Sequence, residues 1–341
     1  MTWLVVLSTT LATRSAAYSM SPRGRLITRC RATMAPMEGV DVFKRALSGD
    51  GSVSAKAVDC TRTVAEVCGS QGCLPLAATA LGRAMTSCLL IADGIQDEET
   101  FQVRFDGDGP LRGVFALANG RLETRGYVGN PRLALDAVDV RTGVGQGQLK
   151  VVRLKNLPGE ETSRPFSSIV DIVSGEIAED INHYVATSEQ QEGALAAGVS
   201  LDDTNAVAAA GGWRLTLLPG ASDEIATKVV DNVRRVLESG VSTTDMFLRG
   251  ETCDDVLHRL LDGLEPTILP DVARPSFRCE CDTSRVYRTL ALLPRREVRH
   301  ILATNDKIEA KCEFCARIYT LSPDQIEAHL RKVDSGEITI T

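Results

Sequence analysis

Four cysteines near the C-terminus limit what the last part of this chain can fold into. Cys279 and Cys281 form a CxC pair within "SFRCECDTSRVY", and about thirty residues later Cys312 and Cys315 form a CxxC pair within "KCEFCARIY". Two close pairs at this separation are typical of a structural zinc site with four thiolate ligands. The sequence therefore predicts one Zn²⁺ per chain, held by these four cysteines.

The segment that carries these cysteines, residues 273–335, is too short to be secure on apolar burial alone. A domain of about sixty residues buries little surface and often needs a metal or disulfides. Bound zinc supplies folding free energy on the order of 10–16 kcal/mol in zinc-finger peptides. We expect zinc to hold this segment folded, and we expect loss of the thiolate ligands to unfold it.

The same four thiolates are open to oxidation. Zinc and cationic neighbours keep the sulfurs in the thiolate form that oxidants attack. Five cationic residues lie close to the cysteines in sequence: Arg278, Arg285, Arg288, Lys311 and Arg317. A CxxC pair closes readily into a disulfide, whereas a CxC pair closes a smaller, more strained ring that is more easily reduced. We therefore interpret the four cysteines as a metal-held latch that oxidation releases.

The histidines and the upstream cysteines are predicted to lie outside this site. Each histidine lies singly on a predicted helix: His183, His258, His300 and His329. The upstream cysteines are scattered through apolar sequence, which is typical of buried core positions: Cys60, Cys68, Cys73, Cys88 and Cys253. The exception is "CGSQGC", which predicts a turn where the thiols of Cys68 and Cys73 are both accessible.

Upstream of the four-cysteine segment, residues 39–220 are predicted to form an α+β domain. Two helices separated by a glycine-rich turn and Pro75 come first. Strand-like runs follow, divided by the turn sequences "DGDGP", "ANG" and "GNP", and then come the helix "GEIAEDINHYVATSEQ" and two last strands, "GALAAGVSL" and "GWRLTLLPG". Antiparallel sheets flanked by helices define the α+β class. The glycines of "GDG" and "GVGQG" open no helix, so hairpin turns are predicted there rather than a dinucleotide-binding loop.

Residues 221–272 are predicted to form a helical connector between the two domains. The helix "ASDEIATKVVDNVRRVLESG" begins with Ser222 as a candidate N-cap and ends at Gly240. A second helix is predicted in "TCDDVLHRLLDG". Both helices have an apolar stripe and neither has a predicted strand partner, so the stripes are expected to lie on the N-terminal domain.

Residues 1–38 read as a targeting leader that is removed from the mature protein. The first 37 residues contain five Arg and no Asp or Glu, and their opening apolar run is too short to span a bilayer. The pattern favours a plastid destination, with the mitochondrion as the alternative. Without the leader the chain has 33 basic against 45 acidic residues. Such an acidic surface repels phosphates, so we expect no nucleic-acid partner. The mature sequence also predicts no membrane span.

The chain resembles the 33 kDa chaperonin family, the redox-regulated heat-shock holdases of bacteria and plastids. The CxC motif and "CEFCARIY" carry the resemblance, together with the upstream segments "FDGDGPLRG", "RGYVGNP", "HYVATSEQ" and "AAAGGWRLTLLPGA" in the order that the family has them. The resemblance covers residues 40–335, which is nearly all of the predicted mature chain.

The resemblance implies an ATP-independent chaperone rather than an enzyme, inactive while it is reduced and zinc-bound. It implies that oxidation forms the disulfides Cys279–Cys281 and Cys312–Cys315 and expels the zinc. The four-cysteine segment would then melt and the connector would be destabilised, exposing apolar surface that captures unfolding client proteins. The resemblance also implies a homodimer in the oxidised state.

Two other functions fit parts of the pattern. A zinc-ribbon protein that binds nucleic acid would use the C-terminal segment as its reader, but residues 273–341 hold only 12 basic against 10 acidic residues. A thiol–disulfide oxidoreductase would use Cys312 and Cys315, but the CxxC lacks the helix-start position that lowers the pKa of a catalytic thiol.

Overall fold

The chain folds into a mixed α+β structure. The computed structural model describes residues 40–134, 139–155, 164–304, 307–335 and 337. The strands in these ranges are β1 (Val42–Leu47), β2 (Val53–Asp59), β3 (Thr100–Gly107), β4 (Val114–Asn119), β5 (Glu123–Val128), β6 (Gly147–Lys155), β7 (Arg164–Asp171), β8 (Gly193–Leu201), β9 (Val207–Leu217), β10 (Thr267–Ile268), β11 (Ser276–Phe277), β12 (Ile308–Lys311) and β13 (Ile318–Leu321). The helices are α1 (Thr61–Gln71), α2 (Pro75–Ala92), α3 (Val140–Val144), α4 (Ile177–Ser188), α5 (Asp223–Glu238), α6 (Thr243–Leu248), α7 (Cys253–Leu260), α8 (Thr283–Leu292), α9 (Arg295–Thr304) and α10 (Pro323–Asp334).

Two sheets enclose the helix α2. Sheet A has the strand order β10-β1-β2-β9-β8, and sheet B has the order β11-β5-β4-β3-β6-β7. One face of α2 contacts β4 and β5 of sheet B, and another contacts β8 and β9 of sheet A. Residues predicted at helical spacing along α2, such as Leu76, Ala84 and Cys88, are buried in the largest apolar core. The predicted α+β class with antiparallel sheets is confirmed.

The sheets also contain strands that the sequence pattern does not predict. β1 and β2 lie in residues for which no element is predicted, and they form the middle of sheet A. Their inward positions are largely alanine, as at Ala46, Ala55 and Ala57. Alanine has little strand preference, so the alternation is weak in the sequence. Tertiary packing against other elements makes these residues strands.

The glycines of "GVGQG" do not form the predicted hairpin turn. Residues Val140–Val144 are instead the short helix α3, which lies against the end of β3. A Cβ atom on Gly109 would lie 2.3 Å from the carbonyl oxygen of Gly143, and one on Gly107 would lie 2.0 Å from that of Val144. Glycine is therefore needed here so that two backbone segments can approach closely, and no phosphate-binding loop is formed.

The connector packs on the face of sheet A that points away from α2. Ser222 caps α5 as predicted, because its side chain accepts a hydrogen bond from the Ile225 N–H. A helix that was not predicted, α6, stands between the two predicted ones, and β10 adds a strand to the edge of β1. The connector and the sheet share an apolar cluster that includes Ala55, Trp213, Leu215, Val229, Val233, Met246, Val256, Leu257 and Leu260.

One helix is apolar enough and long enough to cross a membrane among the residues that the structure describes. It is α2, and 83% of its apolar stretch is buried inside the fold. Such burial is typical of the core helix of a globular domain.

The last part of the chain forms a small module of α8, α9, α10 and the β12–β13 hairpin. Its buried apolar core consists of Leu290, Val298, Leu321, Ile326 and Leu330. The chain reaches this module from β11, which pairs in parallel with β5 at the edge of sheet B. The cysteine pairs lie where the module meets that edge.

Candidate metal centre

The fold brings the four predicted ligands together from two chain segments. β11 ends at Phe277, and the Arg278 N–H donates to the Thr124 carbonyl, so the chain leaves sheet B immediately before Cys279. The second pair lies in the turn between β12 and β13. The strand edge and the hairpin turn thus present the CxC and CxxC pairs to each other.

The spacing of the sulfurs fits a tetrahedral metal ion. The Sγ atoms of Cys279 and Cys312 are 3.7 Å apart, and those of Cys281 and Cys315 are 3.3 Å apart. All four Sγ atoms lie within 4.8 Å of one another. Tetrahedral zinc with Zn–S bonds of about 2.3 Å places its sulfurs about 3.8 Å apart. The four thiols therefore have the arrangement and the chemistry that a metal ion of this type requires.

The turn that carries the CxxC pair has a defined backbone. The Cys312 N–H donates to the Arg317 carbonyl over 2.9 Å, and the Ala316 N–H donates to the Cys312 carbonyl over 2.9 Å. Ala316 has a φ of 57°, in the left-handed region that favours glycine. These bonds fold the segment from Cys312 to Arg317 into a knuckle whose two sulfurs point toward the CxC pair.

Tyr319 on β13 supports the CxC side of the centre. Its hydroxyl donates to the Cys281 carbonyl at 2.9 Å and lies 3.1 Å from the Cys281 Sγ. Burial raises the pKa of the Cys281 thiol, but the hydrogen bonds from Tyr319 and from the neighbouring thiols outweigh burial and lower it to about 7. Burial raises the pKa of Cys279 instead. A phenol four residues after the CxxC is the only sequence signal for this supporting contact.

The metal centre rests on one face of β5, which we call the docking strip: Glu123, Arg125 and Tyr127. These three residues alternate along the strand, so their side chains point to the same side of sheet B. Arg278 forms an ion pair with Glu123 at 3.3 Å, and Glu280 forms one with Arg125 at 3.5 Å. The residues next to the CxC cysteines are thus bound to the N-terminal core.

The CxxC pair reaches the same strip through Phe314, which lies between its two cysteines. The Phe314 ring packs edge-on against Tyr127 at 5.4 Å and against Phe115 at 5.9 Å, measured between ring centroids. The Arg125 guanidinium lies 5.2 Å from the Phe314 ring centroid. No local sequence pattern predicts these contacts, because they join positions far apart in the chain.

Gln71 completes this interface from the end of α1. Its Nε2 donates to the Gly126 carbonyl at 2.8 Å and to the Phe314 carbonyl at 2.9 Å. The Gln71 side chain is 5% exposed; its bond to Gly126 is buried and its bond to Phe314 is partly buried. One amide group therefore ties the knuckle to β5 and to α1.

The remaining cysteines and the histidines do not join the centre. Within the described residues, the cluster of possible metal ligands consists of the four C-terminal cysteines. Cys60, Cys68, Cys88 and Cys253 are buried and Cys73 is half-buried. Burial raises the pKa of Cys253 to about 12. The histidines lie on helices, as predicted, and the His329 ring stacks on Tyr287.

The fold and the site together define a mixed α+β protein whose small C-terminal module carries four thiols placed to hold a metal ion. A profile of the Hsp33 protein family matches residues 41–322. The 33 kDa chaperonin of Desulforamulus reducens is 34% identical over 303 residues, covering 87% of this chain and 99% of the relative. That of Bacillus licheniformis is 34% identical over 298 residues, covering 85% and 98%.

A solved structure of a 33 kDa chaperonin has a similar fold. The crystal structure of the 33 kDa chaperonin of Thermotoga maritima superposes with a TM-score of 0.75 at 29% identity, covering 86% of this chain and 99% of that one. The chain belongs to the Hsp33 family of 33 kDa chaperonins. Membership supports a chaperone function, and the family resemblance that the sequence motifs indicated is confirmed.

Proposed function

We propose that this protein is a redox-regulated, ATP-independent holdase with Zn²⁺ bound by Cys279, Cys281, Cys312 and Cys315 in the reduced state. The observation that carries the proposal is the position of the four thiols, which lie at the junction between the small module and the core. A change at the thiols acts on the module's stability and on its attachment to the docking strip together.

The module depends on these thiols because its own core is small. Five buried apolar residues hold the helices and the hairpin together. Zinc bound by the four thiolates supplies folding free energy that so small a core lacks. The four residues hold the metal only as thiolates, so oxidation of either pair removes half of the ligand set.

The proposal assigns the disulfides to Cys279–Cys281 and Cys312–Cys315. All four sulfurs lie close enough for other pairings, and the 3.3 Å and 3.7 Å contacts join one pair to the other. A disulfide between the pairs would close a loop of more than thirty residues and stabilise the module. Disulfides within the pairs leave the two segments free to separate, and only this pairing releases the latch.

Each disulfide forms by transfer of two electrons to the oxidant. With hypochlorous acid, one thiolate takes up the chlorine, and its partner sulfur then displaces chloride as the S–S bond forms. Oxidation of one dithiol consumes one hypochlorous acid and yields chloride, water and a proton. Stress oxidants of this class supply the reaction without any further cofactor.

Release of the module loosens the connector and uncovers apolar surface for clients. The chain runs directly from the connector through β10 and β11 into Cys279. β10 and β11 each pair with the core through two residues, and an isolated bridge between Phe43 and Ala273 holds the chain between them. The face beneath the connector includes Trp213, Leu215 and Ala55, all at most 2% exposed. Unfolding client proteins would bind to this face and to the apolar stripes of the connector helices.

The test follows aggregation of a heat-unfolded client with reduced and with hypochlorite-treated protein, while zinc release and free thiols are measured. Oxidised protein is expected to suppress aggregation and reduced protein to leave it unchanged. Equal activity in both states would refute the redox switch. Zinc retained after full oxidation would refute the latch.

Tryptic peptides distinguish the disulfide pairings. Cleavage after Arg278 and Arg285 gives a peptide with both CxC cysteines, and cleavage after Lys311 and Arg317 gives one with both CxxC cysteines. Disulfides within the pairs make each peptide lighter by two hydrogen atoms. Disulfides between the pairs join the two peptides, and that outcome would contradict the assignment.

We also propose a destination for the chain, set by residues 1–38, and an oligomeric state for the oxidised protein. The acid-free leader directs the chain to a plastid, with the mitochondrion as alternative; it lies outside the described residues, and a fluorescent fusion of residues 1–38 tests its destination. The oxidised protein forms a homodimer, which light scattering before and after oxidation tests. A monomer under activating conditions would contradict the second property.

A further inference from the structure

Two upstream thiols lie side by side at the end of α1. The Cys73 N–H donates to the Cys68 carbonyl at 2.9 Å, and the Gly72 N–H donates to the Gly69 carbonyl at 3.2 Å. Gly72 has a φ of 67°. These features define a Schellman motif, which a contact between the side chains of its first and last residues frequently accompanies. Here those residues are Cys68 and Cys73.

The geometry suits a disulfide. A direct backbone hydrogen bond keeps the two Cα atoms within roughly the 4.4–6.8 Å that disulfides span. The turn is already closed by this backbone hydrogen bond, so the chain places the two cysteines near each other before the sulfurs join. In "CGSQGC" the turn is at Gly72, after the last turn of α1, and the prediction that both thiols are accessible is wrong for Cys68, which α1 holds in the core.

The two thiols differ in their surroundings. Cys73 is half-buried, whereas Cys68 is 4% exposed and its Sγ lies 3.9 Å from the Ala78 carbonyl. The hydrogen bond between the two thiols lowers the pKa of Cys73 and raises that of Cys68. The more exposed sulfur is thus the better nucleophile, and the buried one is placed to resolve the intermediate.

We propose that Cys68 and Cys73 are a second redox site, separate from the metal centre, at which hypochlorous acid joins the two thiols in a reversible disulfide. The Cys73 thiolate takes up the chlorine of hypochlorous acid, and Cys68 displaces chloride from that sulfur and gives up its proton. One dithiol and one hypochlorous acid yield one disulfide, water, chloride and a proton. A dithiol reductant reverses the bond by thiol–disulfide exchange.

The position of the pair gives the disulfide a consequence at the metal centre, and this second step rests on the proposed function. Gln71 lies within the ring that the disulfide closes, and its amide holds the Phe314 carbonyl. A disulfide fixes its two sulfurs about 2.05 Å apart, which tightens the turn. The bond from Gln71 to the knuckle is then weakened, and the zinc-binding pairs oxidise sooner.

Trypsin makes the first step directly testable. Cleavage after Arg62 and Arg83 gives a peptide that contains Cys68 and Cys73 and no other cysteine. Full-length zinc-loaded protein is treated with increasing hypochlorite, blocked with an alkylating reagent and digested. We expect this peptide to appear unalkylated and lighter by two hydrogen atoms, and to regain both alkylation sites after reduction with a dithiol.

Variants identify the partners. Cys73→Ser is expected to abolish the mass loss, and Cys68→Ala, which removes the other partner, is expected to do the same. The matched control Cys88→Ala removes a wholly buried thiol of the neighbouring helix and is expected to leave the mass loss intact. A peptide that stays fully alkylated while the CxC and CxxC peptides are oxidised would overturn this proposal alone. Oxidation of this peptide with the other two unchanged would instead overturn the proposed function.

The second step is measured as a rate. In the wild-type chain, zinc-binding pairs are expected to oxidise roughly two- to tenfold faster than in Cys73→Ser, the equivalent of one net hydrogen bond lost at the knuckle. Gln71→Ala removes that hydrogen bond without changing a thiol. In this variant the zinc-binding pairs are expected to oxidise at the faster rate whether Cys73 is present or substituted. Equal rates in the wild type and Cys73→Ser would refute the link and leave the disulfide itself standing.

Discussion

The N-terminal core and the C-terminal module are held together by different means. The largest wholly buried side chains, from Phe43 to Trp213, all belong to the core, where α2 lies between two sheets. The module has five buried apolar residues and four thiols at its edge. Burial of apolar area at about 25 cal/mol per Å² is expected to keep the core stable, whereas the module is proposed to need a metal. One chain thus combines a permanent scaffold with a conditional one.

The surfaces by which the connector and the metal centre attach to the core also differ in strength. The connector covers sheet A with an apolar cluster around Trp213 and Leu257. The metal centre contacts sheet B through polar groups, namely ion pairs and the Gln71 amide, and through one aromatic side chain, Phe314. Ion pairs near the surface contribute little, so the docking strip is the weaker attachment. We therefore expect the module to detach from the docking strip before the connector detaches from sheet A.

The largest effect is expected from removing the metal. A chelator added to the reduced protein should unfold the module, since stabilisation on the order of 10–16 kcal/mol disappears with the ion in small zinc domains. Hydrogen exchange should become fast in α8 and α10 and remain slow in α2.

Cys312→Ser should produce the same pattern without a chelator, and Cys88→Ala is the matched cysteine control that should retain the metal. If α8 and α10 stay protected in metal-free protein, the difference between core and module is not one of metal dependence.

The next largest effect is expected at the connector. Leu257 is wholly buried against sheet A, and Leu257→Ala should destabilise its packing by about 2–5 kcal/mol. In a Trp3→Phe background, Trp213 is the one tryptophan of the chain. Its emission should shift to longer wavelength, and reduced protein should gain anti-aggregation activity.

Leu149→Ala, which truncates a wholly buried leucine of sheet B, controls for general loss of stability. It should lower the melting temperature without activating the reduced protein. Equal activation by both substitutions would show that uncovering sheet A is not the event that matters.

How much the sequence alone predicts depends on whether a signal is local. The Ser222 cap and the helix after Pro75 rest on spacing and capping within a few residues, and the structure has both as predicted. The four cysteines were singled out by their spacing, and the structure brings their sulfurs together. The position of the cysteine cluster at the edge of sheet B was not predictable, because β11 is a two-residue strand.

Features that depend on tertiary contacts could not be predicted from local sequence patterns. β2 alternates alanine with polar residues, and it becomes a strand only because β1 and β9 flank it. The docking strip joins residues near 125 to residues near 314, and no local pattern links them. Gln71 resembles an ordinary polar residue at the end of a helix, although its amide donates to the carbonyls of Gly126 and Phe314.

A smaller effect is expected when the docking is cut and the module is left intact. Phe314→Ala removes two aromatic contacts, each worth about 0.5–1.5 kcal/mol beyond its buried area. Zinc should stay bound, hydrogen exchange should rise at Arg125 and Tyr127, and the cysteines should oxidise faster.

Phe166→Ala is the matched control, since Phe166 lies on β7 at the opposite edge of sheet B and is 47% exposed. It should change none of these quantities. Loss of zinc from Phe314→Ala would show that docking and metal binding are one event rather than two.

The smallest effect is expected at the knuckle backbone, where glycine substitutions at two positions should change stability in opposite directions. Ala316 has a φ of 57°, so Ala316→Gly should relieve strain and stabilise the metal-bound module by about 1 kcal/mol. Ala310→Gly, in the extended strand β12 of the same hairpin, should destabilise it by about 0.5–1 kcal/mol. Thermal unfolding of the zinc-bound module measures both changes. Shifts of the same sign would show that the left-handed turn at Ala316 is not under strain. The knuckle backbone would then not reduce the stability of the metal-bound module.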